Sequence, residues 1–232
     1  MDKTLQTAYS GYDGGTAGVV AERNRVLRNT YWLLALSMVP TVLGAWIGLK
    51  TGVTAAMGPG MGLVVFMVGA FGFMFAIEKT KNSAAGVPVL LMFTFFMGLM
   101  LSRLIGVVLG LRDGASLIMT AFAGTGLIFL GMATMSSIIK RDLSAMGKWL
   151  FIGAIMLLVA GVANVFIQSS ALMVTLSVVA IGIFSAFILV DLKRVKDGEE
   201  TNYITATLGV YLSLYNVFQS ILVLLGLSSS ND

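Results

Sequence analysis

The chain has 232 residues, 57% of them hydrophobic and 11% charged, with a mean hydropathy of +0.93; soluble domains carry about a quarter charged residues, so a water-soluble fold is excluded and the solvent is lipid. There is no cysteine and no histidine, which excludes disulfides, thiolate chemistry, imidazole proton relays, serine–histidine and cysteine–histidine catalysis, and most zinc, copper and haem sites. The net charge of +4 suits an anionic membrane leaflet rather than nucleic acid, because no basic stretch is interleaved with aromatics.

Residues 1–30 read as a flexible polar tail. Its first part, YSGYDGGTAGVV, is rich in Gly, Ser and Thr, a composition that buries too little apolar surface to order itself. Arg23, Arg25 and Arg28 cluster just before the first apolar run. The tail lacks an apolar core of signal-peptide length.

Seven apolar spans follow, each long enough to cross about 30 Å of hydrocarbon. They are expected over residues 31–49, 61–77 (after the turn GPGMG), 87–109, 115–139, 149–167, 171–190 and 204–227. Pro88 falls in the first turn of the third span, where a missing N–H is harmless. The seventh span is the most polar, so a re-entrant or interior helix is an alternative to a full crossing. The expected fold is therefore an all-α polytopic membrane protein, a seven-transmembrane-helix bundle over 31–227, with a short C-terminal tail at 228–232.

Alternating the spans puts twelve of the fifteen basic residues on one side: Lys3 and the three arginines of the tail, Lys79 and Lys81, Lys140, Arg141 and Lys148, and Lys193, Arg194 and Lys196. Only Lys50 and Arg112 fall on the other side, and Arg103 lies inside the third span. Short cytoplasmic loops carry the excess of Lys and Arg. The N-terminus is therefore expected in the cytoplasm and, after seven crossings, the C-terminus outside.

Glycine is abundant within the spans, and Gly44/Gly48 and Gly106/Gly110 each form a G-x-x-x-G. Small residues let helix backbones approach in lipid, where little hydrophobic force joins helices. Close packing within the chain and a homodimer face are the two readings. Gly124, Gly126 and Gly131 lie in mid-span with no strand before them, so they are not a nucleotide loop. The 15 methionines are adaptable packing material.

Ionisable residues inside a membrane are costly and tend to be functional. Arg103 lies about 24 Å along its span from Val87, at about 1.5 Å per residue. It either snorkels outward or lines an outward-facing cavity. Asp191 ends the sixth span, where a carboxylate opposes the helix dipole. Its candidate charge partners are Lys79, Lys193 and Arg194. It is either an interfacial carboxylate paired with one of them or a gate whose protonation changes how the last two spans pack. On the seventh span Ser213, Asn216 and Ser220 share one face, flanked by Tyr211 and Tyr215. That face either hydrogen-bonds between helices or lines a wet cavity. Glu199 and Glu200 precede this span and suit its N-terminal dipole. One acidic residue bordering the spans does not supply the facing pair that an intramembrane aspartyl protease requires, so the chain reads as a non-enzyme with no cofactor.

The stretch GEETNYITATLGVYLSLYNVFQSILVLLG (198–226) resembles the C-terminal signature of the Bax inhibitor-1 family, closest to its bacterial YccA branch. The likeness continues at VLRNTYWLLALSM (26–38) and FGFMFAIEKTKNSAAG (71–86). The resemblance implies seven helices, six of them wrapped around a central, semi-hydrophobic C-terminal helix, in a bacterial inner membrane. It further implies a pH-dependent calcium leak gated by two aspartates that share a proton, and Asp191 matches the first. In the pattern Y-L-D-x-x-N the second falls at Ser213. A serine neither shares a proton as a second carboxylate does nor repels the first charge. The YccA branch implies a second activity, binding and modulating FtsH, the membrane-anchored ATP-dependent protease of membrane-protein quality control. The partners implied are thus the lipid bilayer, an FtsH-type protease and calcium ions.

Overall fold

Backbone N–H and C=O groups find no water in hydrocarbon, so a spanning segment must satisfy them internally, as a helix does. The computed structural model describes residues 3–229, with side chains described from residue 18 onward except that of Val19. It consists of helices α1 (Lys3–Thr51), α2 (Val53–Ala56), α3 (Pro59–Thr80), α4 (Gly86–Leu109), α5 (Gly114–Ile138), α6 (Ser144–Ile167), α7 (Ser170–Asp197) and α8 (Tyr203–Ser229). All but the one-turn α2 are long and apolar enough to cross a membrane, which makes seven spans among the described residues.

Two boundaries differ from expectation. The helix of the first span does not begin at Tyr31. It extends back to Lys3, through a stretch carrying Glu22, Arg23, Arg25 and Arg28, and the apolar run within it starts at Tyr31. Part of the expected flexible tail, 18–30, is therefore ordered helix. Val26 is buried and packs with Val195 of α7 and Ala206 of α8, and Thr30 is buried beside it. The run A-E-R-N-R-V-L-R holds good helix formers, and the apolar contact at Val26 holds it in place. The side chains of 1–17 lie outside the described residues. At the other end of the chain, the sixth span does not stop at Val190, because α7 continues to Asp197. Gly198 ends it with φ 84°, the left-handed conformation that glycine adopts without a Cβ clash.

The crossings alternate. At one end Arg23 lies beside Gly198, Asn202 bonds to Lys81 and Asn82, and Ser144 Oγ lies 3.4 Å from Glu199 Oε1. This is the basic end. At the other end the Thr54 and Ser102 hydroxyls share a hydrogen bond of 2.7 Å, and Gly226 lies against Val108 and Leu111. Helix α8 thus starts at the basic end and finishes at the opposite one. It runs the full length of the bundle as one unbroken helix, long and apolar enough to cross a membrane, rather than turning back partway.

Helix α8 is also the centre of the bundle. It packs against α1, α3, α4, α5 and α7, while α6 packs outside on α7 and α3. Of the seven spans it has the lowest mean hydropathy, 1.7, and the largest buried share, 44% against 11% for α3, α5 and α6. A helix screened from lipid by its neighbours has no need to be apolar on every face. Its buried Tyr211, Val210 and Val217 meet Leu90, Phe93 and Met97 of α4 and Ile188 and Leu192 of α7 in one core. Around this core the outer helices present Trp32, Val68, Leu127 and Phe166 to lipid.

The tightest approach in the bundle joins α1 to α4. A Cβ at Gly98 would lie 2.0 Å from the Thr41 carbonyl oxygen. A Cβ at Gly44 would lie 2.1 Å from the Phe95 carbonyl oxygen, and one at Gly48 would lie 2.3 Å from Ser102 Oγ. The Gly44/Gly48 motif is therefore used within the chain, between backbones in contact. Gly106 faces Leu49 across the same seam, whereas Gly110 only closes the end of α4. Gly72, by contrast, has no neighbour within 4 Å. Gly98→Val should therefore destabilise the fold by about 1–3 kcal/mol, read as a lower thermal midpoint in mild detergent. Gly72→Val should shift stability by less than about 0.5 kcal/mol.

Candidate functional site at the α7–α8 seam

The sequence joining α7 to α8 builds a rigid turn. Glu199 N–H and Glu200 N–H both donate to the Arg194 carbonyl, at 2.9 and 3.1 Å, closing α7 around Gly198. Asn202 then caps α8. Its Oδ1 accepts from Ile204 N–H at 2.9 Å and Thr205 N–H at 3.2 Å, two of the donors that a helix N-terminus leaves unpaired. Its Nδ2 donates to the Lys81 carbonyl at 3.1 Å and to Asn82 Oδ1 at 2.9 Å. One side chain thus starts the central helix and ties it to the α3–α4 turn. Its only signal in the sequence is an asparagine standing just before an apolar run.

Asp191 lies well inside α7, not at its C-terminus, so the expected conflict with the end of the helix dipole does not arise. The residues after it, L-K-R-V-K, continue the helix because their charged heads reach water while their stems stay on the helix surface. The half-buried carboxylate presses on α8 at Gly209: a Cβ there would lie 2.8 Å from Asp191 Oδ2 and 3.3 Å from Cγ. Among the described residues Asp191 makes no hydrogen bond or ion pair.

The three expected charge partners are engaged elsewhere. Lys193 is buried and pairs with Asp197, one turn on in the same helix. Arg194 pairs with Glu199 at 3.7 Å, and the Lys79 ammonium sits 5.5 Å from the centre of the Phe75 ring. Arg194 still acts on Asp191 through space, and Glu200 opposes it. Lys196 turns the other way. Its Nζ donates to the Ala133 carbonyl at 3.0 Å, to Ser136 Oγ at 2.7 Å and to Ser137 Oγ, placing a cation on the last turn of α5, where the helix dipole favours one. Nearby in the α5–α6 loop, the Ser144 hydroxyl and N–H both donate to the Asp142 carboxylate and hold its pKa below the usual carboxylate range.

On α8, Ser213 and Ser220 are buried, and Asn216 returns its amide to its own helix, donating to the Leu212 carbonyl at 2.8 Å. Along this stretch of α8 the flanking tyrosines make hydrogen bonds to neighbouring helices. Tyr211 Oη shares one of 2.8 Å with Thr41 Oγ1 on α1 and lies 3.4 Å from the Thr94 carbonyl of α4. Tyr215 Oη donates to the Met97 carbonyl of α4 at 3.4 Å. A phenol reaches across to the next helix where a serine hydroxyl does not. The i, i+4 spacing of the two tyrosines was the available signal. Thr205, Gly209 and Ser213 follow one another at four-residue steps along the α8 face that Asp191 meets. Thr205 Oγ1 is buried without a partner among the described residues. The seam therefore holds one unpaired carboxylate and a row of small or hydroxylated residues. That arrangement can accept a proton, but it offers no second acidic group.

Arg103 is on the far side of the molecule from this seam. Its Nη1 donates to the Met57 carbonyl in the α2–α3 connection at 3.3 Å. The guanidinium thus reaches toward the end opposite the basic loops and closes a turn there.

These features define a class: a multi-pass helical membrane protein whose least apolar helix runs through the middle of the bundle, with a lone carboxylate set against it. The family described as "Inhibitor of apoptosis-promoting Bax1" matches residues 23–230, and the chain belongs to this Bax inhibitor-1 family. The protein of Escherichia coli K12 named "Modulator of FtsH protease YccA" is 37% identical over 206 residues, which cover 89% of this chain and 91% of that one. An "Uncharacterized membrane protein" of Vibrio cholerae is 35% identical over 212 residues, covering 91% of this chain and 93% of its own. An uncharacterized protein of Pseudomonas aeruginosa is 34% identical over 211 residues, with the same two coverages of 91% and 93%.

The contact between Asp191 and Gly209 can be tested as a cycle. Gly209→Ala should destabilise the protein when Asp191 is present and be tolerated beside Asp191→Ala. The coupling should be about 0.5–3 kcal/mol by denaturant unfolding in detergent. Additive effects would show that the carboxylate does not occupy that face of α8.

Proposed function

We propose that this protein is an inner-membrane, non-enzymatic modulator that binds an FtsH-type membrane protease. The observation that carries this reading is the likeness, along almost the whole of both chains, to the E. coli protein whose name is Modulator of FtsH protease. Another E. coli relative of the same identity is named as an inner membrane protein, which supports that location. The twelve basic residues counted on one side support a cytoplasmic N-terminus and an external C-terminus. The segment before the first span, residues 1–30, is then on the protease's side of the membrane and is the handle by which a pulling machine grips the chain.

The tagged protein, solubilised gently from native membranes, should recover the protease in a pull-down read by mass spectrometry, and a form lacking residues 2–20 should not. The same deletion should lengthen the protein's lifetime in cells. An unchanged half-life would remove the tail from the reading, and recovery of the protein alone would remove the partner.

A second reading, a pH-sensitive calcium leak, is favoured by one observation: Asp191 faces the central helix without a hydrogen bond or ion pair among the described residues. In this reading Asp191 is the gate, and the α8 face at Ser213 and Asn216 is the lining. Ser213 weakens it, because no second carboxylate stands across from the first. Purified protein in liposomes should then pass calcium in a pH-dependent way that changes in Asp191→Asn. Flux equal to that of empty liposomes at every pH would reject the leak.

A further inference from the structure

Helix α1 carries Asn24, Arg28 and Trp32 at four-residue steps, so the three lie on one face, with Leu27 and Tyr31 beside them. Together these five residues line an open groove of about 420 Å³ at the basic end of the bundle. Its chemistry changes along its length. Asn24 and Arg28 form a polar upper part, and Tyr31 and Trp32 form an aromatic lower part centred about 8 Å further along the helix, at about 1.5 Å per residue. Arg28 and Asn24 are exposed and make no hydrogen bond or ion pair among the described residues. The one acidic residue close by in the helix, Glu22, is taken by Arg25 at 3.9 Å. The floor is held in place, since the half-buried Tyr31 ring rests edge-on against Phe129 of α5 with centroids 6.1 Å apart. Trp32 is 73% exposed, at the start of the apolar run that begins at Tyr31.

We propose that this groove binds one anionic phospholipid, with its phosphate on Arg28 and Asn24 and its glycerol and upper acyl carbons along Tyr31 and Trp32. Three features select this occupant. The groove passes from charged to apolar in the order in which a phospholipid does. Its cation is not neutralised by any of the described residues, so a headgroup of net negative charge is attracted more strongly than a zwitterionic one. Its aromatic rim has the amphipathic character of side chains that settle at the membrane interface.

The test is native mass spectrometry of the full chain from micelles containing equal phosphatidylglycerol and phosphatidylcholine. The wild-type protein should retain phosphatidylglycerol preferentially, and Arg28→Ala should lower that preference about fivefold. Lys148→Ala removes the same charge from the same end, away from the groove, and should leave the preference unchanged. Trp32→Ala should weaken retention with no change of charge, and it tests the groove independently should Arg28→Ala fail to fold. The proposal is overturned if the wild-type protein shows no preference, or if Arg28→Ala and Lys148→Ala lower it equally. It is equally overturned if inorganic phosphate displaces the lipid as readily as added phosphatidylglycerol does, which would mark a free-phosphate site.

Discussion

The α1 and α4 backbones touch at Gly98 and Thr41, and the rest of the bundle is arranged around that contact. In lipid, apolar side chains gain little by leaving their solvent, so helices adhere through close van der Waals packing and a few hydrogen bonds. Glycine permits both here. With Gly44, Gly48 and Gly98 removing the side chains from the seam, α1 and α4 form a single two-helix wall. That wall carries the groups to which the central helix is bound: Thr41 on α1, and the Thr94 and Met97 carbonyls on α4, met by Tyr211 and Tyr215. Pro40, inside α1, lacks an N–H and sits directly before Thr41. The neighbouring α4 backbone covers the helix at that point.

The opposite side of α8 is held differently. Against α1 and α4 it uses large aromatic residues and hydrogen bonds. Against α7 it combines apolar contacts with Ile188 and Leu192 and a seam at Gly209 that meets the Asp191 carboxylate. The first surface is well satisfied. Among the described residues the second leaves Asp191 without a hydrogen bond or ion pair and Thr205 Oγ1 buried without a partner. Buried polar groups without partners cost free energy, and this seam is where the bundle carries that cost. The turn at 198–202 and the Lys196 bonds to the end of α5 keep the seam from relaxing at the basic end.

The two functional readings make different use of this architecture. The modulator reading needs a stable membrane body with an accessible N-terminal segment, and the α1–α4 wall supplies the body. The leak reading needs the α7–α8 seam to change with proton occupancy, and a lone carboxylate without the second one at Ser213 is a poorer switch than a pair. Full-length likeness to a relative named for protease modulation weighs on the side of the first.

Composition and run length alone determined that the chain lives in lipid, that it crosses seven times, and that its last span is unlike the others, because the membrane filters segments by length and apolarity whatever their neighbours are. The glycine spacing at 44 and 48 also pointed to close packing. What the one-dimensional pattern does not contain is which surfaces meet. It could not show that Gly44 and Gly48 face α4 of the same chain, that α1 continues out of the membrane because Val26 finds Val195 and Ala206, or that α7 runs on past Asp191 to Gly198. Nor could it assign the cations: Lys193 and Arg194 are adjacent to Asp191 in sequence, yet helical geometry hands them to Asp197 and Glu199. Position along a helix is set locally, by spacing and end signals; partnership across helices is set by packing, and only the tertiary structure decided it.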